Sequence, residues 1–192
     1  FRRIPFAEAM ETYGSDKPDL RIDLTVTDAT ALLGDCGFEP FAGQTVKAVP
    51  VSDFTGTRKQ IDKLCADIEV ISGSKAYWFR LDEKGEIVGG IAKFLQEKKE
   101  QVIGGLKLTP NSLVVLSAGK TGAAQKTAGV AIKQIANLCP NHMDREKYEF
   151  CWIVDFPMYE IGEESGELEF CHNPFSMPNG GLEILKKAAA GE

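Results

Sequence analysis

The sequence predicts an α+β fold in which helices pack on a mostly antiparallel sheet. Apolar residues recur at helical spacing in two long segments, 57–72 and 122–138. Short apolar runs of strand length lie between these segments, and further strand-like runs follow near the end of the chain. This order of elements is typical of an α+β domain that is inserted into a larger sheet.

In the first half of the chain the predicted elements are a helix 5–13, an exposed loop 15–21, a short helix 28–33, a strand 46–51 and a helix 57–72. Pro5 suits the first turn of a helix, and Gly14 ends that helix. Pro50 places its strand at a sheet edge or a strand end. Thr57 and Gln60 have the spacing of a capping box, so the long helix begins there.

In the second half the predicted elements are a hairpin 76–88, a helix 91–103, a strand 113–116, a helix 122–138, a polar linker 140–146 and strands 150–156 and 168–172. Turn-forming residues at 82–86 indicate the hairpin. Segment 91–103 has one apolar side and one Lys/Glu-rich side, which predicts an amphipathic helix. Segment 150–156 is apolar on both faces, as in the centre of a sheet, and 168–172 returns as a second strand.

Composition and charge exclude several classes of protein. With 43% hydrophobic residues in 192, the chain is not disordered and has material for about one to two domains. No apolar run reaches the roughly 20 residues of a membrane span, and the first residues do not form a signal peptide. A net charge of −6 argues against a free-standing nucleic-acid binder, so any RNA contact needs a local basic patch.

The cysteines do not indicate a disulfide framework or a metal site. They form no C-x-x-C pair, and neither histidine joins them in a zinc-ligand pattern; these residues are Cys36, Cys65, Cys139, Cys151, Cys171, His142 and His172. We therefore expect reduced thiols in a cytoplasmic protein, with no metal bound.

Segment 117–122 has part of a phosphate-binding pattern. Gly119, Lys120 and Thr121 follow a predicted buried strand and open a helix, but Val114 stands where the P-loop has a glycine. A structural turn from strand to helix is favoured over a nucleotide-binding loop, because the missing glycine is needed to wrap backbone N–H groups around phosphates.

Segment 172–178 is the sharper functional signal. His172 ends a predicted strand and is followed by Asn173 and two prolines, which indicates a pinned polar group. Its imidazole could hydrogen-bond a carboxylate or an ammonium group, or it could only cap the strand end. No serine or cysteine nucleophile elbow occurs, so no catalytic residue is assigned.

Each of two charged regions has a structural and a functional interpretation. The charge pattern of the loop 15–21 favours the first, a solvated loop that pairs its own charges, and assigns those charges no catalytic role. Basic residues are concentrated at Arg58, Lys59, Lys63, Lys93, Lys98, Lys99 and Lys107. A solvated helix face and an RNA contact explain this concentration equally well.

Several separated strings resemble bacterial-type aspartyl-tRNA synthetases, a class II family. RIPF (3–6) and YGSDKPDLR (13–21) are similar to the segment after motif 2, and WIVDFPM (152–158) and HNPFSMP (172–178) to the segment before motif 3. KQID (59–62) and IAKFL (91–95) resemble the GAD domain, the family's large insertion, which also occurs in an amidotransferase subunit that works on misacylated tRNA.

The resemblance implies a division of the chain and a reaction. Residues 1–21 and 143–192 would be catalytic-domain segments on either side of a GAD-like insertion domain, 22–142. The parent enzyme would ligate L-aspartate to tRNA through an ATP-dependent aspartyl-adenylate, with Mg²⁺, as a cytoplasmic homodimer. His172 falls on the first histidine of the family's His-His-Pro-Phe string and would bind aspartate, and Asn173 replaces the second histidine as a neighbour of the substrate site.

Motifs 1, 2 and 3 of the class and the anticodon-binding barrel do not occur in the sequence. We therefore expect the isolated chain to be inactive, with no ATP-binding residues of its own and no cofactor bound. The alternative is a non-catalytic GAD module that binds tRNA or a partner protein.

Overall fold

The computed structural model describes residues 1–162, 165–171 and 179–190. These residues form the strands β1 (Arg2–Pro5), β2 (Thr27–Asp28), β3 (Thr45–Val51), β4 (Ala76–Leu81), β5 (Ile87–Val88), β6 (Ser112–Gly119), β7 (Cys151–Val154), β8 (Tyr159–Ile161) and β9 (Leu168–Phe170). They also form the α-helices α1 (Phe6–Tyr13), α2 (Thr30–Leu33), α3 (Arg58–Ser72), α4 (Lys99–Gly105), α5 (Thr121–Leu138) and α6 (Gly181–Ala190). The predicted α+β class is confirmed.

The chain divides into two compact units. The larger unit is Glu8–Phe150, and the smaller one combines Phe1–Ala7 with the part of Cys151–Glu192 that the structure describes. The larger unit contains the whole segment 22–142, the predicted insertion domain.

The larger unit is built on a five-stranded sheet with the order β2-β3-β6-β4-β5. Every neighbouring pair is antiparallel, and the long central strand β6 pairs with β3 on one side and β4 on the other. Val115 of β6 lies opposite Val49 of β3 and Trp78 of β4. The predicted antiparallel sheet is therefore confirmed.

Both faces of this sheet are covered. Alternation along the strands sends Val49 and Val115 to one face and Ala48 and Val114 to the other, because successive side chains of a strand point in opposite directions. Helices α3 and α5 pack on the first face, where their buried apolar residues join one core. Helices α2 and α4 and short 3₁₀ turns supply the second core.

The predicted helix 91–103 is only partly correct. The structure has two 3₁₀ turns, Ala92–Phe94 and Gln96–Lys98, before α4 begins. The side-chain amide of Gln96 donates to the Ala92 carbonyl at 3.1 Å, the acceptor that the Gln96 backbone N–H would use in an α-helix. The same amide also donates to Ile87 O at 3.0 Å, so tertiary contacts replace one continuous helix.

The smaller unit contains two strand pairs and one helix. Strand β1 runs parallel to β7, with Arg2 opposite Cys151, and β8 pairs with β9 in antiparallel register. The prediction that 150–156 lies in the centre of a sheet is wrong for the described residues, since β7 pairs only with β1 there and Trp152 is 60% exposed. The returning strand pairs with β8, an element that the sequence did not predict.

Candidate functional site

The substrate-binding residues predicted by resemblance, His172 and Asn173, lie outside the described residues. The functional segments that the structure does describe are the loop after α1 in the larger unit and the turn after β7 in the smaller one.

The loop 15–21 starts at a tight contact between two glycines. Gly14 has a φ of +62°, and a Cβ added to it would lie 2.2 Å from the Gln125 carbonyl oxygen and 2.5 Å from the Gly129 nitrogen. A Cβ on Gly129 would lie 2.3 Å from the Gly14 carbonyl oxygen. The loop therefore leaves α1 with its backbone pressed directly against α5, which only glycine permits at these positions.

The charges of the loop neutralise one another. Arg21 donates to both carboxylate oxygens of Asp19, at 2.8 and 2.7 Å, and Lys17 forms an ion pair with Asp16 at 2.5 Å. The side-chain hydrogen bond from Arg21 lowers the pKa of Asp19. The self-paired interpretation of this loop is confirmed, and its side chains offer no uncompensated charge to a ligand.

An ion-pair network surrounds a buried lysine of β3. The Lys47 side chain is only 2% exposed and contacts carboxylate oxygens of Glu11 at 2.5 Å and Asp28 at 3.0 Å. Gln125 of α5 donates to the other Glu11 oxygen at 2.9 Å. Hydrogen bonds to these carboxylates outweigh the effect of burial and raise the pKa of Lys47. The network joins α1, the sheet and α5, and sequence reasoning missed it.

A second missed group is His142, whose side chain is 7% exposed. Its Nδ1 lies 2.8 Å from Asp23 Oδ1 and its Nε2 lies 3.3 Å from the Ser52 carbonyl oxygen. The ring lines a cavity of about 450 Å³ together with Leu24, Pro50, Lys107 and other residues. The two ring nitrogens face oxygen atoms of two different segments, so His142 connects the chain segments around 23 and 52.

The turn at 117–122 connects β6 to α5, as the sequence predicts. Lys120 is the N-cap residue and makes no side-chain cap. Ser117 donates to the Ala124 carbonyl at 2.8 Å, and the hydroxyls of Thr45 and Thr121 lie 2.9 Å apart. These contacts tie the turn to its own neighbours.

Four of the seven residues in the predicted basic concentration pair with acidic residues. Arg58 and Lys63 contact Asp62 at 3.6 Å and Asp67 at 2.7 Å within α3. Lys98 and Lys99 likewise pair with acidic residues, Asp35 and Glu86. The interpretation of these residues as solvated, self-compensating faces is therefore favoured.

In the smaller unit the turn after β7 is held in an unusual conformation. Asp155 has a φ of +57°, which side chains other than glycine rarely adopt, and its Oδ1 accepts a 2.7 Å hydrogen bond from Asn179. The next residue, Phe156, packs its ring 5.2 Å from that of Phe6. This turn lies within the WIVDFPM string.

The described residues contain neither a cluster of metal-ligating side chains nor a membrane-spanning helix. No group of three or more His, Cys, Asp or Glu side chains converges as a metal site among the residues that the structure describes. No helix in the described part of the chain is long and apolar enough to cross a membrane.

Comparison with known proteins gives consistent matches over nearly the whole chain. Residues 1–190 match the tRNA synthetases of class II (D, K and N). The chain is 43% identical over 188 residues to an aspartate–tRNA ligase of Streptomyces coelicolor, which covers 97% of this chain and 32% of the relative. It is 37% identical over 203 residues to an aspartate–tRNA(Asp/Asn) ligase of Rickettsia bellii, covering 100% of this chain and 33% of the relative.

The chain thus spans about a third of the length of the curated relatives that it matches. The strings predicted to resemble this family are distributed over the same range as the match. The chain belongs to the class II tRNA synthetase family of the D, K and N type.

Proposed function

We propose that this chain is the insertion-bearing part of an aspartate–tRNA ligase, which joins L-aspartate to tRNA through an ATP-dependent aspartyl-adenylate. The names of the relatives support aspartate and tRNA as substrates. The proposal includes a cytoplasmic, homodimeric parent enzyme, and it assigns the segment 22–142 within the larger unit to the GAD-like insertion.

One observation carries the insertion part of this proposal, the parallel pairing of β1 with β7. Arg2 lies opposite Cys151 and Pro5 opposite Val154, so the two ends of the larger unit lead into neighbouring strands. A domain inserted into a loop of a host domain has this arrangement, because its entry and exit must lie close together.

Apolar exposure in the smaller unit supports a larger host. The exposed fractions are 60% for Trp152, 64% for Ile161 and Phe170, 66% for Leu168 and 61% for Leu182. Such a concentration of large exposed apolar side chains marks a contact surface. The relatives contain about twice as much additional chain, and we propose that part of it covers these residues.

Within the proposed enzyme His172 hydrogen-bonds the bound aspartate, and Asn173 contributes an amide beside it. When bound, ATP supplies the adenylate group and Mg²⁺ neutralises phosphate charge. No ligand set for either is assigned to the described residues, so this chain's part is to orient aspartate and to hold the strands that carry 155–158 and 172–178. Such catalysis depends on fixed side chains more than on proton transfer.

The test compares the 192-residue chain with the full-length protein that contains it. We expect aspartate-dependent ATP–pyrophosphate exchange from the full-length protein and background exchange from the isolated chain. Absence of exchange from the full-length protein would overturn the proposed activity. Clear turnover by the isolated chain would overturn only its assignment as an incomplete part.

The role of His172 has its own test in the full-length protein. We expect His172→Ala to raise the KM for aspartate by at least about tenfold, the scale of one lost charge-assisted hydrogen bond. Asn173→His restores the family's second histidine and serves as the matched variant, with little effect on that KM. An unchanged KM in His172→Ala would remove the assignment.

A further inference from the structure

The distribution of acidic residues along the chain is strongly uneven. No aspartate or glutamate occurs between Glu100 and Asp144, although the chain contains 28 of them. The same stretch carries four lysines, Lys107, Lys120, Lys126 and Lys133. An acidic protein therefore contains one long segment whose side chains are only neutral or basic.

Most of the helical part of this segment is α5, and two of the lysines share its solvent face. Lys126 and Lys133 are seven residues apart, which places them about 11 Å apart along one side of the helix. Both are exposed, whereas Ala128, Ala131, Ile132 and Ile135 are buried against the sheet and α3. We call Lys126 and Lys133 the lysine face.

The two residues of the lysine face have no ion pair with a described carboxylate. Neither Lys126 nor Lys133 has a described carboxylate oxygen within 4.0 Å, whereas Arg58 and Lys63 of α3 each pair with an acidic residue, although the exposed Lys59 of α3 does not. A lysine without an ion-pair partner can displace the counterions that are condensed on a phosphate backbone, which is the main source of affinity for nucleic acid.

Two acidic groups close to α5, Asp19 and Glu11, are already engaged. The pKa of Asp19 is lowered first by its hydrogen bond from Arg21 and, more weakly, by the charge of Lys133. Arg21 holds both oxygens of Asp19, and Glu11 is bound by Lys47 and Gln125. Both of these carboxylates therefore have hydrogen-bonding partners other than the lysine face.

We propose that the lysine face of α5 binds the phosphate backbone of RNA. That this RNA is tRNA rests on the proposed function. Lysines are compact point charges that suit sequence-independent phosphate contacts. Val130 lies between the two lysines on the same side of the helix and is aliphatic, and the exposed Asn137 follows Lys133 by one turn. The two lysines themselves would position an RNA through its backbone.

The first test measures binding of the 192-residue chain to a fluorescent tRNA transcript at several salt concentrations. Lys126→Gln/Lys133→Gln should weaken binding about tenfold at low salt and reduce the slope of log K against log salt by about two. The matched control, Arg58→Gln/Lys63→Gln, removes the same charge from an exposed helix. It should change affinity less than about twofold and leave the slope unchanged.

Equal losses in the two variants would overturn the proposal, because they would indicate only a general charge effect. A larger loss in the α3 variant would place the contact on α3 instead. Polyglutamate is the third probe: if the α5 variant loses polyglutamate binding but keeps RNA binding, the face fits an acidic protein and the proposal fails. Unchanged far-ultraviolet circular dichroism in both variants shows that they fold.

A second measurement in the full-length protein separates this proposal from the proposed function. Lys126→Gln/Lys133→Gln should leave aspartate-dependent pyrophosphate exchange unchanged and raise the KM for tRNA in aminoacylation about tenfold. Loss of exchange in the unmodified protein contradicts the ligase activity. Normal exchange and an unchanged KM for tRNA in the lysine variant contradict only the proposal that the lysine face binds RNA.

Discussion

The two units of this chain bury their apolar strands to different extents. In the larger unit the four residues Leu113 to Leu116 are each at most 1% exposed, because β6 has neighbours on both edges and helices over both faces. In the smaller unit Trp152 of the equally apolar strand β7 is 60% exposed. Apolar strands thus lie in a fully buried core in the larger unit and on an exposed surface in the smaller one.

The difference shows that an apolar sequence specifies the strand conformation but does not specify which elements pack on the strand. Burial of a large aliphatic side chain stabilises a fold by about 1.5–3 kcal/mol, and this contribution is absent where nothing packs on the strand. We therefore expect the larger unit to carry the stability of the chain.

Limited proteolysis gives the largest expected contrast. Cleavage within the described segment 151–162 should be at least about a hundredfold faster than cleavage inside Glu8–Phe150, because local opening exposes a strand only where few buried contacts resist it. Mapping of the first fragments by mass spectrometry measures this directly. Equal resistance of the two units would contradict the comparison.

The glycine contact between α1 and α5 is the next largest effect. Gly14→Ala should lower the free energy of unfolding of the larger unit by about 4 kcal/mol, since it adds a left-handed strain to a severe overlap. Gly73→Ala is the matched control: its φ is +73° against +62° for Gly14, but a Cβ there meets nothing within 4 Å. It should cost about 1 kcal/mol by urea denaturation.

Loss of the buried lysine comes third. Lys47→Met should destabilise the larger unit by about 2 kcal/mol, less than for a fully buried pair because Glu11 and Asp28 are half exposed and can rehydrate. Lys98→Met removes a lysine that is 29% exposed from a pair with a well-exposed Asp35 and should cost below about 1 kcal/mol. Equal losses of unfolding free energy in Lys47→Met and Lys98→Met would show that burial of Lys47 does not strengthen its ion pairs.

The same network predicts a pH dependence. Burial alone would raise the pKa of Asp28, but hydrogen bonds from Thr30 and Lys47 lower it below 3.8. A lowered pKa gives stability that is present above the unfolded value and lost as pH falls through the folded value. Stability should therefore decrease below about pH 4, and Lys47→Met should flatten this decrease in urea titrations. A parallel decrease in the variant would assign the acid sensitivity elsewhere.

The smallest expected change in stability is at the open surface. Ile161→Thr should alter the free energy of unfolding by less than about 0.5 kcal/mol, because Ile161 is 64% exposed and threonine suits a strand. It should nevertheless reduce concentration-dependent association in sedimentation velocity. Val88→Thr in the larger unit is the control and should leave association unchanged. If Ile161→Thr and Val88→Thr changed association equally, the exposed strands of the smaller unit would not be the cause of association.

The parts of the fold that the sequence predicted depend on local signals. Thr57 and Gln60 form the predicted capping box, and α3 begins at Arg58 and ends before Gly73. The covered sheet was predictable because alternation and helical spacing agree over long segments. Elements β1 and β8 escaped prediction because each has at most four residues, and the partner of β1 lies far along the chain.

The missed polar groups depend on contacts between distant segments. Lys47 stands in an alternating strand on the side of Val49, which is a signal of an inward lysine, but its partners Glu11 and Asp28 cannot be read from the strand itself. His142 and Asp23 have no local pattern at all. The motif strings predicted the family, because that inference rests on residue identity and not on geometry.

The parallel pairing of β1 with β7 has a consequence for the order of folding. About 150 residues separate the paired strands, and closing such a loop in an unfolded chain is entropically unfavourable and slow. Once Glu8–Phe150 has folded, its two ends are fixed and the search becomes short. During synthesis, then, Arg2–Pro5 leaves the ribosome about 150 residues before the strand that pairs with it, so it stays unpaired while Glu8–Phe150 is being made.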